Sequence, residues 1–457
     1  MNTLQRTSQF VSSVATPAAA RSVAIRFSAL LLLSLGAIHA DAQAVPAAAP
    51  PSLGFALPTM AGSLQYAISV SEILSSNNFG NSSGVQAGTS LSGDLAFITN
   101  SKNDPFSMIF NTGRTWSSSN QPSYSYMNLA MSQVVNAGRW NFVLSDSVSY
   151  MPGTASTGLS GVPGVGDLGV TPVQVGADTG QGVLTGYSNR LSNTASLSVQ
   201  RQLTGKTALQ GSGSYAASYF LSDVIGSATG SNAGLDNGSE TGSLGLMHRI
   251  DARNSVSGTY SYANYTYSGN NFGIKEPGFV SQTVSAQYSH QFTRKLGMSL
   301  SAGPQWISIN SSVDSHSLNA FVDSSVNYAG QYARTSLAYV RSTNGGYGVV
   351  GGSTSDSVSF STSRTFDRAW LFAGTVAYSH TSNLPMAGSL PFTFHTTVVG
   401  GQVSRAVVHN LSAYVSYTIG NQSNQGTAPA VDFFSGLTQS AGFGLTYSPG
   451  SIHLGRQ

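Results

Sequence analysis

Cysteine is absent from the 457 residues. That excludes a disulfide framework, thiolate metal sites and lipid attachment through an N-terminal cysteine. Charge is scarce as well. Only 8% of residues are Asp, Glu, Lys or Arg, against about 25% in ordinary soluble domains. A soluble sandwich needs a charged outer surface, and this chain has little to offer one. Beyond the N-terminal region no run approaches 18 consecutive apolar residues, so no transmembrane helix is expected. The formal net charge of +3 rests partly on Arg6, Arg21 and Arg26, in a segment expected to be removed. Cleavage after Ala42 leaves 17 basic and 16 acidic residues. A nearly neutral chain gives no support for nucleic-acid binding.

What is present is Gly (51), Ser, Thr and Asn, with Tyr (20) and Phe (21). Aromatics and alternating Val and Leu at this frequency argue against disorder. Residues 1–42 read as a signal peptide. Arg21 and Arg26 precede an apolar run from Phe27 to Ile38 that is too short to span a bilayer, and Ala40-Asp41-Ala42 offers a cleavage site. Residues 43–60 form a Pro/Ala-rich lead, 61–448 the main domain and 449–457 a C-terminal tail.

The stretch Val284 to Leu300 shows the grammar of the main domain. Val284, Ala286, Tyr288 and Phe292 alternate with Ser285, Gln287, Ser289 and Gln291. After Thr293-Arg294-Lys295 the alternation resumes with Leu296, Met298 and Leu300. A period of two gives an extended chain one apolar and one polar face. The pattern recurs as one opening strand, eight hairpins and one closing strand. Connections inside hairpins run to two to five residues, whereas those between hairpins are longer, reaching 36 at 152–187. Alternating short and long connections are those of an all-β, transmembrane antiparallel β-barrel, here of about 16–18 strands, with short periplasmic turns and long extracellular loops. A uniform β-solenoid period is not seen.

Aromatics and cations are placed accordingly. Trp140 and Trp370 follow short turns, while Trp116 and Trp306 lie near the opposite strand ends, as two interfacial girdles would; aromatics are also good strand formers. Eleven of the 17 mature basic residues lie at or beside short turns: Lys102, Arg139, Arg201, Lys206, Arg249, Arg253, Arg294, Lys295, Arg364, Arg368 and Arg405. They read as solvated turn chemistry, or as a basic periplasmic rim facing lipid headgroups or an acidic partner.

Few motifs point to chemistry. Gly164-Val165-Gly166-Asp167-Leu168-Gly169 matches a dinucleotide fingerprint but lacks the strand before it and the helix after it. Gly80-Asn81-Ser82-Ser83-Gly84 likewise lacks the strand-to-helix turn of a nucleophile elbow. The eight histidines are scattered without a ligand spacing, so no metal and no cofactor is expected. Asp314 and His316 are the nearest approach to a rim hydrolase, and no enzymatic constellation can be assembled. Charges inside strands are more informative. Asp94, Arg190 and Asp323 share the phase of the Ser, Thr and Gln set, which makes them pore-lining candidates. Asp167 and Asp178 mark loop 152–187 as the candidate constriction. Asp146 shares the apolar phase of Trp140, Phe142 and Leu144, so a bulge or a misregistered strand is expected there. Pro304 marks a second phase change, since the apolar positions move from Leu300 and Ala302 to Ile307 and Ile309.

The turn-centred repeat and the closing stretch Leu437 to Tyr447 resemble bacterial, porin-like outer-membrane β-barrels. Gln291 to Gly303, with its echo Gln202-Leu203-Thr204-Gly205-Lys206, more loosely resembles barrels found alongside exopolysaccharide-export systems. The resemblance implies an outer-membrane location and contact with outer-membrane lipid and with the barrel-assembly machinery during biogenesis. A barrel of this size encloses an aqueous lumen, and a charge-poor Ser/Thr/Asn/Gln inner face suits passage of a small neutral solute through a passive or weakly selective channel. A docking barrel with a periplasmic export partner is the alternative. One departure is that Tyr447 is followed by ten more residues, where the assembly signal of such barrels usually ends on a terminal aromatic.

Overall fold

Period-two alternation gives each segment one apolar face, and a chain with too little charge to clothe a soluble surface turns that face outward and closes on itself. The computed structural model describes residues 62–76, 85–99, 101, 104–117, 123–152, 189–220, 236–268, 270–271, 274–275, 277–310, 315–345, 352–366, 369–384, 391–408, 410–426 and 436–454. The signal-peptide, lead and loop 152–187 expectations lie outside them, as do Lys102, Asp167, Asp178, Asp314, Arg368 and both glycine motifs.

Eighteen long strands form the wall: β1 (Gly62–Ser76), β2 (Val85–Thr99), β3 (Phe106–Ser117), β4 (Tyr124–Ala137), β5 (Trp140–Pro152), β6 (Asn189–Gln202), β7 (Thr207–Phe220), β8 (Asp236–Arg249), β9 (Asn254–Ser268), β10 (Phe279–Gln291), β11 (Leu296–Ile309), β12 (Ser315–Ala329), β13 (Ala333–Asn344), β14 (Ser353–Phe366), β15 (Trp370–Asn383), β16 (Phe392–Val408), β17 (Leu411–Gly426) and β18 (Gly436–Tyr447). Each pairs antiparallel with its neighbours in sequence, and β18 closes the ring on β1 from Ile68↔Tyr447 to Ser76↔Gln439. A short strand, Ile452–Leu454, continues the closure against Gly62–Leu64. Closure of β18 on β1 pairs the two end strands of the sheet, whose edges a bilayer would leave unsatisfied.

Short and long connections alternate, with one tie. The turns at 138–139, 203–206 and 292–295 are tight, and Gly138 takes a left-handed φ of 62° to make the first. The short-side connection 100–105 is as long as its long-side neighbour 118–123. Within it Asp104 N donates to Ser101 Oγ at 3.0 Å, and Asp104 Oδ1 accepts from Asn136 N near the end of β4 at 3.1 Å.

Cross-strand partners share a face, so the register assigns every side chain. The outer face is an apolar belt. On β15, Trp370, Phe372, Val376 and Tyr378 are exposed, and their partners on β16 include Val403 and Val399. Val70 of β1 (51% exposed) neighbours Leu91 on β2 and Leu445 (51%) on β18. All four tryptophans are exposed on this face, with Trp140 and Trp370 at the short-turn edge and Trp116 and Trp306 at the long-loop edge. A closed ring with an apolar exterior is a membrane-spanning outer-membrane-type barrel.

Two expectations are corrected. Asp146 is neither bulged nor misregistered: β5 stays in step with β4 (Met131↔Asp146) and β6 (Asp146↔Ala195), so the carboxylate stands on the outer face. Pro304 does not shift the phase. Thr283↔Gln305 and Ala286↔Ala302 keep one register on either side of it, the ladder merely lapsing beside a residue without an N–H. Ile307 and Ile309 therefore point inward. A register irregularity does occur at Ala406/Val408.

Candidate functional site: the inner wall

The inner face is built from short hydroxyl and amide side chains. Serine pairs face each other across neighbouring strands: Ser145 and Ser196 at 2.6 Å, Ser192 and Ser218 at 3.0 Å, Ser212 and Ser243 at 2.7 Å, Ser299 and Ser325 at 3.0 Å. Each hydroxyl both donates and accepts, so these ladders are neutral and remain able to serve a second partner. Along β5 to β12 this wall is accessible to solvent, with Ser147, Thr194, Ser198, Ser212, Gln287 and Asn327 exposed. On β1 to β4 and β15 to β18 it is buried, for example at Ser69, Ser92, Thr381 and Thr446.

The predicted pore-lining residues fall apart into three situations. Asp94 is on the inner face but 7% exposed. It accepts a hydrogen bond from Asn111 Nδ2, and Asn128 Nδ2 approaches Asn111 Oδ1 at 3.4 Å, so a polar chain crosses β2, β3 and β4. Asp323 is on the inner face and exposed, opposite Ser301 of β11 and Val340 of β13. Arg190 has an inward register position on β6, opposite Phe220, but its side chain is outside the described residues. The structure does not bring the three together. Sequence reasoning missed Tyr126, which is buried on the inner face over Gly113, where a Cβ would lie 2.5 Å from the ring.

At the long-loop end the lumen is filled from within. β12 pairs with β13 only from Val322↔Arg341 to Ala329↔Arg334. Above that point β12 continues along β11, while β13 and β14 pass behind it, inside the ring. Thr343 shares the face of outward Leu337, yet its hydroxyl donates to Gln305 Oε1 on the inner face of β11 at 2.9 Å. Asn319 Nδ2 of β12 donates to Thr354 Oγ1 of β14 at 3.2 Å, and Gln305 Nε2 donates to Ser281 Oγ at 2.9 Å. An apolar cluster backs these bonds: Phe279, Ile307, Ile309 and Leu384 are buried, with Tyr265 and Tyr267 against them. Tyr265 stacks on Phe279 at 4.4 Å between centroids. Gly352, at φ 88°, lies so close that a Cβ would sit 2.7 Å from the Phe279 ring. This tuck narrows the described part of the lumen, and no sequence signal beyond the inward Ile307 and Ile309 announced it.

The basic rim residues divide. Arg201 and Arg405 face outward, each with its guanidinium 4.9 Å from the tryptophan directly opposite, Trp140 and Trp370. Arg364 lies 4.6 Å over Phe366 on the same face. These three sit at the lipid-facing edge, stacked on aromatic rings. Arg253, Arg294, Lys295 and Lys206 are exposed in the turns, and Lys206 Nζ donates to the Ile250 carbonyl at 3.4 Å. Arg249 takes an inward register position opposite Ser255. In the 250–253 turn Asp251 holds its acidity through backbone N–H donors: hydrogen bonds from Arg253 N first, and from Asn254, push its pKa below the ordinary carboxylate value. On the outer face Ser308 Oγ lies 3.0 Å from His316 Nδ1, but among the described residues no carboxylate orients the ring's other nitrogen, as a catalytic triad requires.

No protein-family model matches the chain, and no curated protein matches it. Solved structures do. OpdQ of Pseudomonas aeruginosa matches at a TM-score of 0.37 and 10% identity, over 85% of this chain and 99% of its own. OccK2 (OpdF) of the same organism, solved in complex with glucuronate, matches at 0.40 and 10%, over 86% and 98%. The FrpB iron transporter of Neisseria meningitidis matches at 0.40 and 8%, over 84% and 82%. At these values the likenesses add nothing to the barrel that the strand pairing itself shows.

Proposed function

We propose that this chain is a passive, weakly selective outer-membrane channel, not an enzyme, for small neutral hydrophilic solutes of saccharide type. The observation that carries the reading is the solvated inner wall of β5 to β12, whose serine ladders and amides offer paired donors and acceptors while Asp323 is the one carboxylate exposed on the described part of that wall. Hydroxylated solutes exchange water bonds for such groups at little cost, whereas an ion finds few counter-charges on the described wall, Asp323 and, at its short-turn edge, Arg249 among them. The tuck of β13 and β14 acts as the narrow section. Loop 152–187, with Asp167 and Asp178, remains part of the proposal as a second constriction. Arg190 joins the pore lining proposed here, and Asp94 joins it only as a buried member of the polar chain behind the wall.

The test is single-channel recording on refolded protein, combined with swelling of liposomes in saccharides of increasing size. Steady conductance with faster uptake of neutral sugars than of charged ones of equal size is expected. A folded barrel that neither conducts nor admits sugars ends the channel reading. The buried Phe279 cluster favours the second reading, a closed barrel that anchors a periplasmic export partner through the exposed turn cations Arg253, Arg294 and Lys295. Neutralising those three should then abolish co-purification of the partner and leave the barrel folded.

A further inference from the structure

Near the long-loop edge of the outer face, four polar side chains occupy one cross-strand row. Arg341 is opposite Asp356, Asp356 opposite His380, and His380 opposite His395. The next row toward the belt is Tyr339, Val358, Tyr378 and Thr397. The polar row thus caps the apolar belt at the depth where a barrel leaves the hydrocarbon.

Half of the row is joined by an ion pair, although Arg341 Nε is buried without a hydrogen-bond partner among the described residues. Arg341 Nη1 lies 3.1 Å from Asp356 Oδ1, and the Tyr339 hydroxyl donates to the same carboxylate at 2.8 Å. The histidine half is not. Nδ1 of His380 and Nδ1 of His395 are 3.4 Å apart, and the Tyr378 hydroxyl is 2.9 Å from that same His395 nitrogen. A ring nitrogen carries either one lone pair or one N–H, so His395 Nδ1 cannot bond fully to both neighbours. Three ligand-type atoms converge where two partners compete for one.

We infer that His380 and His395 chelate a single divalent transition ion of the zinc class through their Nδ1 atoms, with the Tyr378 oxygen beside it. A tetrahedral ion bound at about 2.0–2.1 Å to two imidazoles holds their nitrogens about 3.3–3.4 Å apart. The observed separation is 3.4 Å, and the ring centroids are 4.6 Å apart. Imidazole ligands select zinc, copper or nickel over calcium and magnesium, which take oxygen sets. From the neighbouring strands the pair is faced by Asp356, whose carboxylate adds negative charge beside the ion, by Arg341 and Tyr339 behind it, and by Ser423 opposite His395 on β17. The bound ion would staple β15 to β16 three residues from their long-loop ends.

The test is zinc titration of the full-length barrel in detergent, stripped of metal first, followed by calorimetry near neutral pH and by the visible absorption of bound cobalt. One equivalent should bind, weaken as acid protonates the imidazoles, and weaken about tenfold or more in His380→Ala or His395→Ala. His316→Ala and His290→Ala should leave it unchanged. Heat-modifiable gel migration establishes that each variant is folded, and His380→Gln and His395→Gln replace an alanine variant that is not. No saturable binding, or binding unchanged in both histidine variants, overturns the inference whether or not the barrel conducts.

Discussion

Asp146 is the residue at which local pattern and membrane physics disagree. It sits in the middle of β5 between Met131 and Ala195, on the face that also carries Trp140, Phe142 and Leu144. Its compensation is a hydrogen bond from Asn193 Nδ2 at 2.8 Å, and Asn193 keeps a second bond to the Ser147 carbonyl at 3.2 Å. A lipid-facing carboxylate at this depth still costs free energy. Asp146→Leu should therefore raise unfolding stability in lipid vesicles by about 1–2 kcal/mol, measured by denaturant titration. A loss of stability would mean that this face is covered by protein. Asp251 gives a prediction of opposite kind. Its depressed pKa means its turn bonds contribute stability above the ordinary value of 3.8, and that this contribution disappears as the pH falls through the lower folded value. Wild type should exceed Asp251→Asn in stability at neutral pH, and the difference should vanish in acid below that value. A difference that persisted in acid would contradict the assignment.

Among elements, β11 shows how far the sequence could be read. Its lower half alternates as a barrel strand should, and the even, outward phase was legible from Met298, Leu300 and Ala302. Its upper half was misread at Pro304 because a period of two reports which face is apolar and not what that face meets. Two apolar inward residues look the same as a slipped register until their partners are known. Those partners, Phe279 from β10 and Leu384 after β15, are far apart in sequence and meet only because β13 and β14 pass inside β12. Phe279→Ala removes the centre of that cluster. Emptying a buried aromatic site costs about 3–5 kcal/mol, and the vacated space lies in the lumen. The variant should unfold at lower denaturant and, where it stays folded, conduct more than wild type. Val358→Ala, on the exposed outer face, should change neither quantity comparably. Equal behaviour of the two variants would show that the tuck does not limit passage.

At the scale of the whole molecule, topology was the legible part and the site the illegible one, for a common reason. Barrel closure is dictated by features every strand repeats: the alternation, the turns and the exclusion of edges from lipid. The histidine pair depends on two single residues brought level by one hairpin's register, and nothing in the spacing of His380 and His395 distinguishes ligands from bystanders. The closing seam tests the first of these claims. β18 makes nine partner pairs with β1, Ile68 to Ser76 with Tyr447 to Gln439, on the long-loop half of β1. Ile452–Leu454 adds three at the short-turn end. If closure is carried by the belt-spanning seam, a chain truncated after Tyr447 keeps its ring, because the hydrocarbon-embedded groups remain paired and only Gly62–Leu64 gain a free edge near water. The truncated chain should still migrate as a compact, heat-modifiable species and should unfold at slightly lower denaturant. A chain truncated before Gly436 loses the whole seam, exposes unpaired strands to lipid and should give no heat-modifiable form. Loss of that form in the shorter truncation would instead assign closure to the last three residues of the seam.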